Sequence, residues 1–417
     1  MSAFPQYAPE MRLRFAGRPA SAALRGSVTG VVCQTGMGDA DRLEVSLANE
    51  GLRWLDDPLF RLDTEVSIAL GYAPDEPSRL FVGEVVGTEA SFPSDGMPML
   101  RVVAQDRRTR LAAASPARWF GVPVPKLGVI PLPDLVVAPL LAVEHGMVPL
   151  LDPLGAFLSA ALGVVDVVAT VEDPSMRQRV VRRQHSETTL DFLKKIAVEN
   201  AWELIVDHDA EPAGFVLRLM SPAGNLSSDV TLRYGRSLME FTPRISTVGQ
   251  VAKVSVRVWR PEIGLELTVS VGYDWDRQAL AIAVTPGFAQ PPGDAPGAAD
   301  ARPAREVLLV DEPVTIATAP RLIVSKLLPR LNRRVTASGT CVGDPRITAG
   351  RVLRIEGVGE TFGGLWRVVS AQHTLDGGGY RTSFDLRKEI WFGGIPPASQ
   401  GAVRVQGGLL SLPAPNS

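Results

Sequence analysis

Apolar and polar residues alternate along much of the chain, with the two-residue period that is typical of half-buried β-strands. The clearest case is the stretch 351–387, where an apolar run at 352–355 is followed by a longer one at 366–373. Asp376 and three glycines then predict a turn, because these residues accept a positive φ at little cost. In 380–387 Tyr, Thr, Phe and Leu alternate with Arg, Ser and Asp. The stretch therefore predicts three antiparallel strands joined by turns.

A second stretch, 64–108, has the same arrangement near the other end of the chain. Phe81-Val82-Gly83 matches Phe362-Gly363-Gly364, and Asp95-Gly96 lies at the same distance from its Phe as Asp376-Gly377. Few side chains are identical, so two interpretations stay open: an internal duplication, or a chance likeness between two β-meanders. A duplication predicts two similar antiparallel β-barrels in one chain.

Further strands are predicted from alternation or from short apolar runs. They are 11–16, 24–35, 42–48, 230–234, 265–273 and 336–342. The segment 286–305 is rich in Pro, Gly and Ala and predicts a surface loop or linker. The segment 319–333 has a helical pattern that Pro329 should end or kink.

An apolar tract, 114–176, separates the first β-rich region from the rest. It contains two short helix-like segments, with Asp134 and Asp152 placed as N-terminal caps. The tract is too apolar for an exposed loop. It either packs against a neighbouring chain or forms a buried sub-domain, and the sequence favours neither.

The strongest helical pattern follows in the segment 177–229. Ser186 or Thr188 can cap this helix, with Asp191 three residues after Thr188 as a loose capping box, and Leu190, Leu193 and Ile196 make one apolar stripe. Strands are predicted after this helix, at 202–207 and 215–220. The basic segment 177–184 is interpreted first as a solvated face, which is the commoner role of such a run.

The predicted fold class is mainly β with α+β insertions: two similar antiparallel β-barrel domains joined by a helix-containing α+β segment. The predicted domains are a first β-barrel at 1–113, an apolar helical insertion at 114–176, an α+β segment at 177–229, a second β-barrel at 230–395 with its Pro/Gly-rich loop at 286–305, and a flexible C-terminal tail at 396–417.

Composition narrows the possible functions. Lys and Arg number 43 against 45 Asp and Glu, so net charge gives no support for a specific nucleic-acid partner. The two cysteines, Cys33 and Cys341, predict buried free thiols. The N-terminus has no apolar signal-peptide core, and prolines and charges interrupt the tract 127–171, so a membrane-spanning segment is not predicted. These features predict a cytoplasmic product.

The sequence gives little support for catalysis. The four histidines, at 145, 185, 208 and 373, have no metal-ligand spacing, so neither a metal nor a cofactor is predicted. His373 is expected to bond to a backbone group on a strand. A cation site at Asp207-His208-Asp209 is the weaker alternative to a plain loop. The glycines of 357–364 lack the Lys-Ser/Thr and the helix of a phosphate loop and are interpreted as turn residues.

Four stretches together resemble one family, the phage late-control D or VgrG-type baseplate hub proteins of contractile tails and contractile injection systems. They are LGYAPDEPSRLFVGEVV at 70–86, SETTLDFLKKIAVENAWELIVD at 186–207, LRYGRSLMEFTPRIS at 232–246 and TFGGLWRVVSAQHTLDGGGYRTSFDLRK at 361–388. The likeness covers roughly 10–390. Departures from the family pattern are Ala201, where the helix usually ends in Gly, the insertion 127–171 and the Pro-rich loop near 290.

The resemblance implies a non-enzymatic hub that assembles as a homotrimer, whose two similar barrels per chain match a sixfold inner tube to a threefold central spike. It implies as partners the inner tube protein, a separate spike protein and other baseplate proteins, in a phage tail or injection-system particle that assembles in the cytoplasm. Hairpin loops are expected to dock onto these partners, through Ser91, Asp95, Gly96, His373, Asp376 and Gly377.

Two other functions are weighed against the hub. One is a tail-associated glycan or peptidoglycan hydrolase built on β-domains, because two of the many acidic residues could meet in space. The other is a monomeric barrel that binds a ligand or nucleic acid. Turnover of peptidoglycan would support the first, and a stable monomer in solution would support the second.

Overall fold

The protein is described by a computed structural model. It covers residues 8–112, 116–126, 128–157, 159–160, 163–164, 181–221, 224–245, 253–260, 265–274, 279–286, 307–314, 325–327, 329, 331–332, 334–389, 392 and 403–407. Within these ranges the chain is mainly antiparallel β-structure with a few helices, which confirms the predicted fold class.

The strands have the following bounds: β1 Ala8–Phe15, β2 Arg18–Pro19, β3 Val28–Gly36, β4 Arg42–Ala48, β5 Glu65–Ala73, β6 Ser78–Ser91, β7 Met99–Gln105, β8 Arg118–Val124, β9 Gly128–Pro131, β10 Val148–Leu151, β11 Arg182–Gln184, β12 Glu203–Asp207, β13 Val216–Met220, β14 Val230–Arg233, β15 Leu238–Ile245, β16 Lys253–Arg260, β17 Leu265–Asp274, β18 Ala279–Pro286, β19 Val307–Val314, β20 Val335–Val342, β21 Val352–Glu356, β22 Gly364–Asp376, β23 Gly379–Arg387 and β24 Val403–Gly407.

The helices are α1 Ala22–Ser27, α2 Arg108–Ala112, α3 Asp134–Glu144, α4 Thr189–Glu199 and α5 Gly359–Phe362, with single 3₁₀ turns at Glu50–Leu52 and Pro58–Phe60. Residues 153–157 are also helical. Ser21 explains why 24–35 is not one strand as predicted. Its hydroxyl accepts from the Leu24 backbone N–H and starts α1, so the strand begins only at Val28.

One large sheet runs through both ends of the chain. In the described residues it has thirteen strands, and its main path is β15-β20-β23-β22-β3-β4-β7-β6-β5-β1-β2, with β21 on β22 and β14 on β21. We call β3–β7 the N-unit, and β15 with β20–β23 the C-unit. The order β3-β4-β7-β6-β5 in the N-unit is repeated as β15-β20-β23-β22-β21 in the C-unit.

The two units share two irregularities of their strands as well as the strand order. A β-bulge interrupts β6 between Val85 and Gly87, and one interrupts β22 between Val368 and Ser370. A second bulge interrupts β3 after Val28, and its counterpart interrupts β15 after Leu238. Because a bulge adds one residue at a fixed place in a ladder, matching bulges fix the residue correspondence between the units.

The entry into the central hairpin is also the same in the two units. Asp63 donates its backbone N–H to Val85 O at 2.8 Å, and Gly350 donates to Val368 O at 2.9 Å. Both donors have positive φ, 63° for Asp63 and 83° for Gly350. The correspondence makes Phe81, four residues before Val85, equivalent to Gly364 and not to Phe362. The repeat predicted from sequence is therefore present, but its alignment there is shifted by two residues.

The predicted insertion 114–176 and the α+β segment 177–229 lie between the units in sequence and share one core, and from here both together are called the α+β segment. Parallel pairing of β10 with β13 and antiparallel pairing of β13 with β12 make a three-stranded sheet, against which α3 and α4 pack. The Thr188 hydroxyl accepts from Asp191 N at 3.0 Å, so the predicted cap of α4 is confirmed. Each unit has a separate core, and Cys33 and Cys341 are buried free thiols in them, as predicted.

A separate sheet forms from strands that the sequence assigned to the second barrel and to the tail. Its order is β19-β16-β17-β18-β24. The strands β16, β17 and β18 pair with their neighbours in sequence, and so they form a meander of their own instead of extending the C-unit. Residues 403–407, expected in a flexible tail, form β24 alongside β18. The predicted loop at 286–305 falls almost wholly outside the described residues.

Candidate docking surfaces

The predicted docking residues map to corresponding places in the two units. Ser91 ends β6, and Asp95 and Gly96 lie in the loop 92–98 that leads to β7. Asp376 ends β22 and accepts from the Gly378 backbone N–H at 2.7 Å, which shapes the two-residue turn into β23. These side chains and Gly377 are exposed. The two hairpin tips are equivalent features of the repeat, and docking through them stays a prediction.

His373 lies in a different environment from the other predicted docking residues. It is inside β22 and fully buried, so its side chain is not offered on a loop. Its Nε2 lies 2.9 Å from Ile347 O, which confirms the expected bond to the backbone, and its Nδ1 lies 2.9 Å from the Tyr380 hydroxyl. Burial lowers the pKa of His373 to about 4. The ring is therefore neutral at pH 7, with Nε2 donating to the carbonyl.

The apolar insertion has two faces with different surroundings. On the inner face of α3, Val137 and Leu141 are buried in the core of the α+β segment. On its outer face Leu140 is 50% exposed and Val143 is 60% exposed, and Phe157 in the following helical turn is 70% exposed. The buried sub-domain is thus present, and packing against a neighbouring chain stays a prediction for the exposed face. That face is an apolar surface of the kind that contacts partners.

Asp134 shows why the cap prediction failed for α3. Pro133 occupies the N-cap position, and the Asp134 carboxylate is buried and pairs with Arg182 at 2.8 Å. Arg182 also pairs with Glu199 of α4. Burial alone would lower the pKa of Arg182, but its bonds to Asp134 and the charge of Glu199 raise it. This part of the basic segment 177–184 therefore ties α3 to α4 and is not a solvated face.

A buried charge cluster joins the N-unit to the α+β segment. Arg108 contacts Asp41 and Asp106, each at 2.7 Å, and donates to Leu204 O at 3.2 Å. His208 lies 2.8 Å from Asp41 and accepts from the Val82 N–H. Burial alone would raise the pKa of Asp41, but the charge of Arg108 and the bond to His208 lower it.

The same cluster contains His208, for which the sequence suggested a cation site with Asp207 and Asp209. Oxygens of Asp41 and Asp106 and a ring nitrogen of His208 lie within 4.8 Å of one another. The guanidinium of Arg108 already provides the positive charge at this place, so the group does not fit a metal ion. Asp207 points elsewhere and pairs with Arg218. The proposed Asp207-His208-Asp209 set is therefore not brought together.

An ion pair occurs at the same place in both units with its charges exchanged, and it is fully buried in the C-unit and partly buried in the N-unit. In the N-unit Glu84 of β6 pairs with Arg107, two residues after β7, at 3.3 Å. In the C-unit Arg367 of β22 pairs with Glu389, two residues after β23, at 3.1 Å. The correspondence fixed by the bulges makes Glu84 equivalent to Arg367. Sequence comparison missed this relation because an exchanged pair has no identical residue.

The C-unit is attached to the rest of the chain by polar contacts. Arg387 pairs with Glu203 of β12 at 2.7 Å, and Arg367 donates to Asn225 O at 2.8 Å. Strand β22 also pairs directly with β3 of the N-unit over six residue pairs, from Ser370–Gly36 to Leu375–Val31. The two units are therefore held together by one continuous sheet.

The two units differ in what lies beside their central long strand. In the C-unit, β22 has β23 on one side, with β21 and then β3 on the other. In the N-unit, β6 has β7 on one side, and β5 on the other only as far as Glu84. Among the described residues no strand covers the remaining edge of 87–91. The edge of β15 that faces away from β20 is likewise without a partner strand in the described part of the chain.

The fold has counterparts among solved structures. A tail protein from Neisseria meningitidis is 12% identical and aligns over 95% of this chain and 100% of its own with a TM-score of 0.58. A prophage MuSo2 43 kDa tail protein from Shewanella oneidensis is 13% identical, over 91% and 98% of the two chains, with a TM-score of 0.57. An E. coli component of the type VI secretion system is 10% identical, over 90% and 76%, with a TM-score of 0.50.

No protein-family model matches the chain, and no curated protein matches it. Among the described residues, none of the helices combines the length and apolar character needed to cross a membrane. At identities of 10–13% the likeness to solved structures is one of fold. The chain has the fold of phage tail proteins and of a type VI secretion component.

Proposed function

We propose that this protein is a structural baseplate hub, and that three copies form a ring that joins a sixfold inner tube to a threefold spike. The observation that carries the proposal is the internal repeat. Its two units share strand order, both bulges and the positive-φ entry residue. Three chains with two equivalent units each present six similar surfaces, as a symmetry adaptor requires.

The exposed face of the insertion supports an oligomer. Leu140, Val143 and Phe157 are each at least half exposed. Apolar surface of this kind is stabilised when another chain covers it, and obligate interfaces are the more apolar class. We expect this face to lie between protomers, so that the subunits do not persist as separate monomers.

The hairpin tips around Asp95 and Asp376 are the proposed contacts to the tube protein, because they are exposed and occupy equivalent places in the repeat. A separate spike protein and other baseplate proteins are the remaining proposed partners, in a tail or injection-system particle. The role is mechanical and not enzymatic. The likeness of the fold to phage tail proteins supports this part of the proposal.

Sedimentation of the purified chain, followed by imaging, tests the proposal. The expected result is a species of three times 44.7 kDa that forms a ring with a central hole. The matched variants Val143→Asp and Val137→Asp separate the two faces of α3. The first should leave the fold intact and give monomers, whereas the second should disrupt the core of the α+β segment. A folded wild-type monomer at micromolar concentration, or turnover of peptidoglycan, would overturn the proposal.

A further inference from the structure

The open edges of β6 and β15 belong to strands whose repeat counterparts, β22 and β3, pair with each other inside the chain. In the C-unit, the place that corresponds to the open edge of β6 is filled by β3. Strand β3 itself is the N-unit counterpart of β15. The pairing of β22 with β3 inside the chain is therefore a template for a strand on the open edge of β6.

The consequence of this difference is visible in burial. Ala371 and His373 on β22 are buried, 1% and 0% exposed, where β3 lies alongside. The corresponding residues on β6, Thr88 and Ala90, are exposed. An edge strand presents unpaired N–H and C=O groups that readily pair with another strand. The missing neighbour leaves both the backbone groups and the side chains of 87–91 uncovered.

We propose that β15 of a second copy pairs antiparallel with β6 at 88–91, as β3 pairs with β22 inside the chain. This inference rests on the proposed trimer and deepens it by assigning the strands and the register. Each chain supplies one β6 edge and one β15 edge, and such a head-to-tail contact closes into a ring when the rotation permits. The occupant of the edge is therefore a second copy of this chain.

The register follows from residues already matched. Gln372 pairs with Gln34 inside the chain. Gln372 corresponds to Glu89, because Ser370 and Gly87 both follow the shared bulge. Gln34 corresponds to Arg244, because both lie six residues after the bulge-opening residue, Val28 or Leu238. The predicted pair across the interface is Glu89 with Arg244 of the second copy.

This register places complementary side chains opposite each other. Glu89 and Arg244 are both exposed and carry opposite charges, where the internal template has two neutral glutamines. Glu89 also accepts from Arg101 of its own chain at 3.3 Å on the covered, β7 side of β6, so Arg244 of the second copy would be a second arginine beside the same carboxylate. In the same register Phe92, which is 59% exposed and directly follows β6, comes next to Phe241, which packs on Trp366 of its own chain. Opposite charges directly across an antiparallel ladder are favourable, and so is contact between aromatic rings.

Pro243 gives the interface a distinct feature. It lies in β15 opposite Ala337 of β20, and the register places it next to Ala90 of the second copy. Proline has no N–H and so contributes only its carbonyl to a ladder, which is why it occurs on edge strands. The predicted pairing at 88–91 therefore depends on the backbone groups of the residues on either side of Pro243.

Disulfide trapping tests the register. Residues directly opposite in an antiparallel pair have Cα atoms about 4.5–5.5 Å apart, within the range of a disulfide, whereas diagonal neighbours at about 7–8 Å are beyond it. The double variant Glu89→Cys/Arg244→Cys should therefore form interchain disulfides that link three chains on a non-reducing gel. The native Cys33 and Cys341 are buried, and burial raises the pKa of both thiols, so they should not interfere.

Two variants serve as controls. Gln34→Cys/Gln372→Cys carries the repeat-equivalent pair and should give an intrachain disulfide with no change in mass. Ser91→Cys/Arg244→Cys is off by two residues and should not cross-link. As a second measurement, Glu89→Arg should weaken the trimer in sedimentation, and adding Arg244→Glu should restore it.

The outcomes separate this inference from the proposed function. A stable trimer in which Glu89→Cys/Arg244→Cys stays uncross-linked, while Gln34→Cys/Gln372→Cys forms its disulfide, overturns the register and leaves the hub standing. An intrachain disulfide between 89 and 244 also overturns it. A wild-type chain that stays monomeric overturns both.

Discussion

The N-unit and the C-unit have the same backbone and different side chains. Their shared bulges place Glu84 where the C-unit has Arg367, and Ala90 where it has His373. The C-unit buries these positions fully, while the N-unit leaves Ala90 exposed. The difference teaches that the same strand pairing accommodates different side chains, because the side chains at these positions have different neighbours in the two units. The edge of β22 is covered by β3 within the chain, whereas in the described residues no strand covers the corresponding edge of β6.

The largest expected difference in stability between the two units comes from the ion pair whose charges are exchanged. Glu389→Gln removes a fully buried carboxylate that lies between Arg367 and Arg387, and should destabilise the C-unit by about 3–5 kcal/mol. Glu84→Gln should cost only about 1 kcal/mol, because Glu84 is partly exposed and Arg107 keeps its second partner, Glu65.

Hydrogen exchange in β22–β23 and β6–β7 measures the two losses separately, which a global melt of a chain with several cores does not. Equal losses of protection in the two units would show that the difference in burial has no energetic consequence.

Acid should weaken the C-unit through His373. Its pKa is about 4 in the folded chain because burial disfavours the charged ring, against about 6.5 when unfolded. The unfolded state therefore binds the proton first, and stability falls as the pH drops from about 6.5 towards 4, by about 3 kcal/mol. Exchange protection of β22 measured against pH should show this loss. In His373→Gln this pH-dependent loss of protection should disappear. The corresponding residue of β6 is Ala90, which does not titrate, so β6 should show no such loss from this position.

Shortening corresponding core side chains should destabilise the two units equally where both side chains are fully buried. Val85 and Val368 correspond, and both are fully buried. Val85→Ala and Val368→Ala each remove two methyl groups, and we expect each to cost about 2 kcal/mol. A difference above about 1 kcal/mol in the local exchange free energies would contradict an equivalent placement of these side chains.

The hairpin tips should contribute least to stability. Asp95→Ala and Asp376→Ala alter exposed residues, and each should change the free energy of unfolding by about 0.5 kcal/mol or less. Binding to the tube protein, measured in a pull-down or by titration, should nevertheless weaken in both variants. Unchanged binding in both would remove these tips from the docking surface.

Much of the local structure could be predicted from the sequence. Alternation in 42–48 and 380–387 predicted strands that the structure contains, and Thr188 with Asp191 predicted the start of α4. These predictions succeed because side-chain periodicity and helix capping depend on residues within a few positions of one another.

Which strand lies beside which was decided by the tertiary structure. Asp134 satisfied the rule for a cap and instead pairs with Arg182, and β22 joins β3 across more than 300 residues. Ladder hydrogen bonds use backbone groups that are the same in every residue, so the sequence carries no local mark of the partner. The turn residues and the two-residue alternation of apolar positions indicated the repeat in the sequence. Its register, the exchanged ion pair and the uncovered edge of β6 depend on packing between distant parts of the chain.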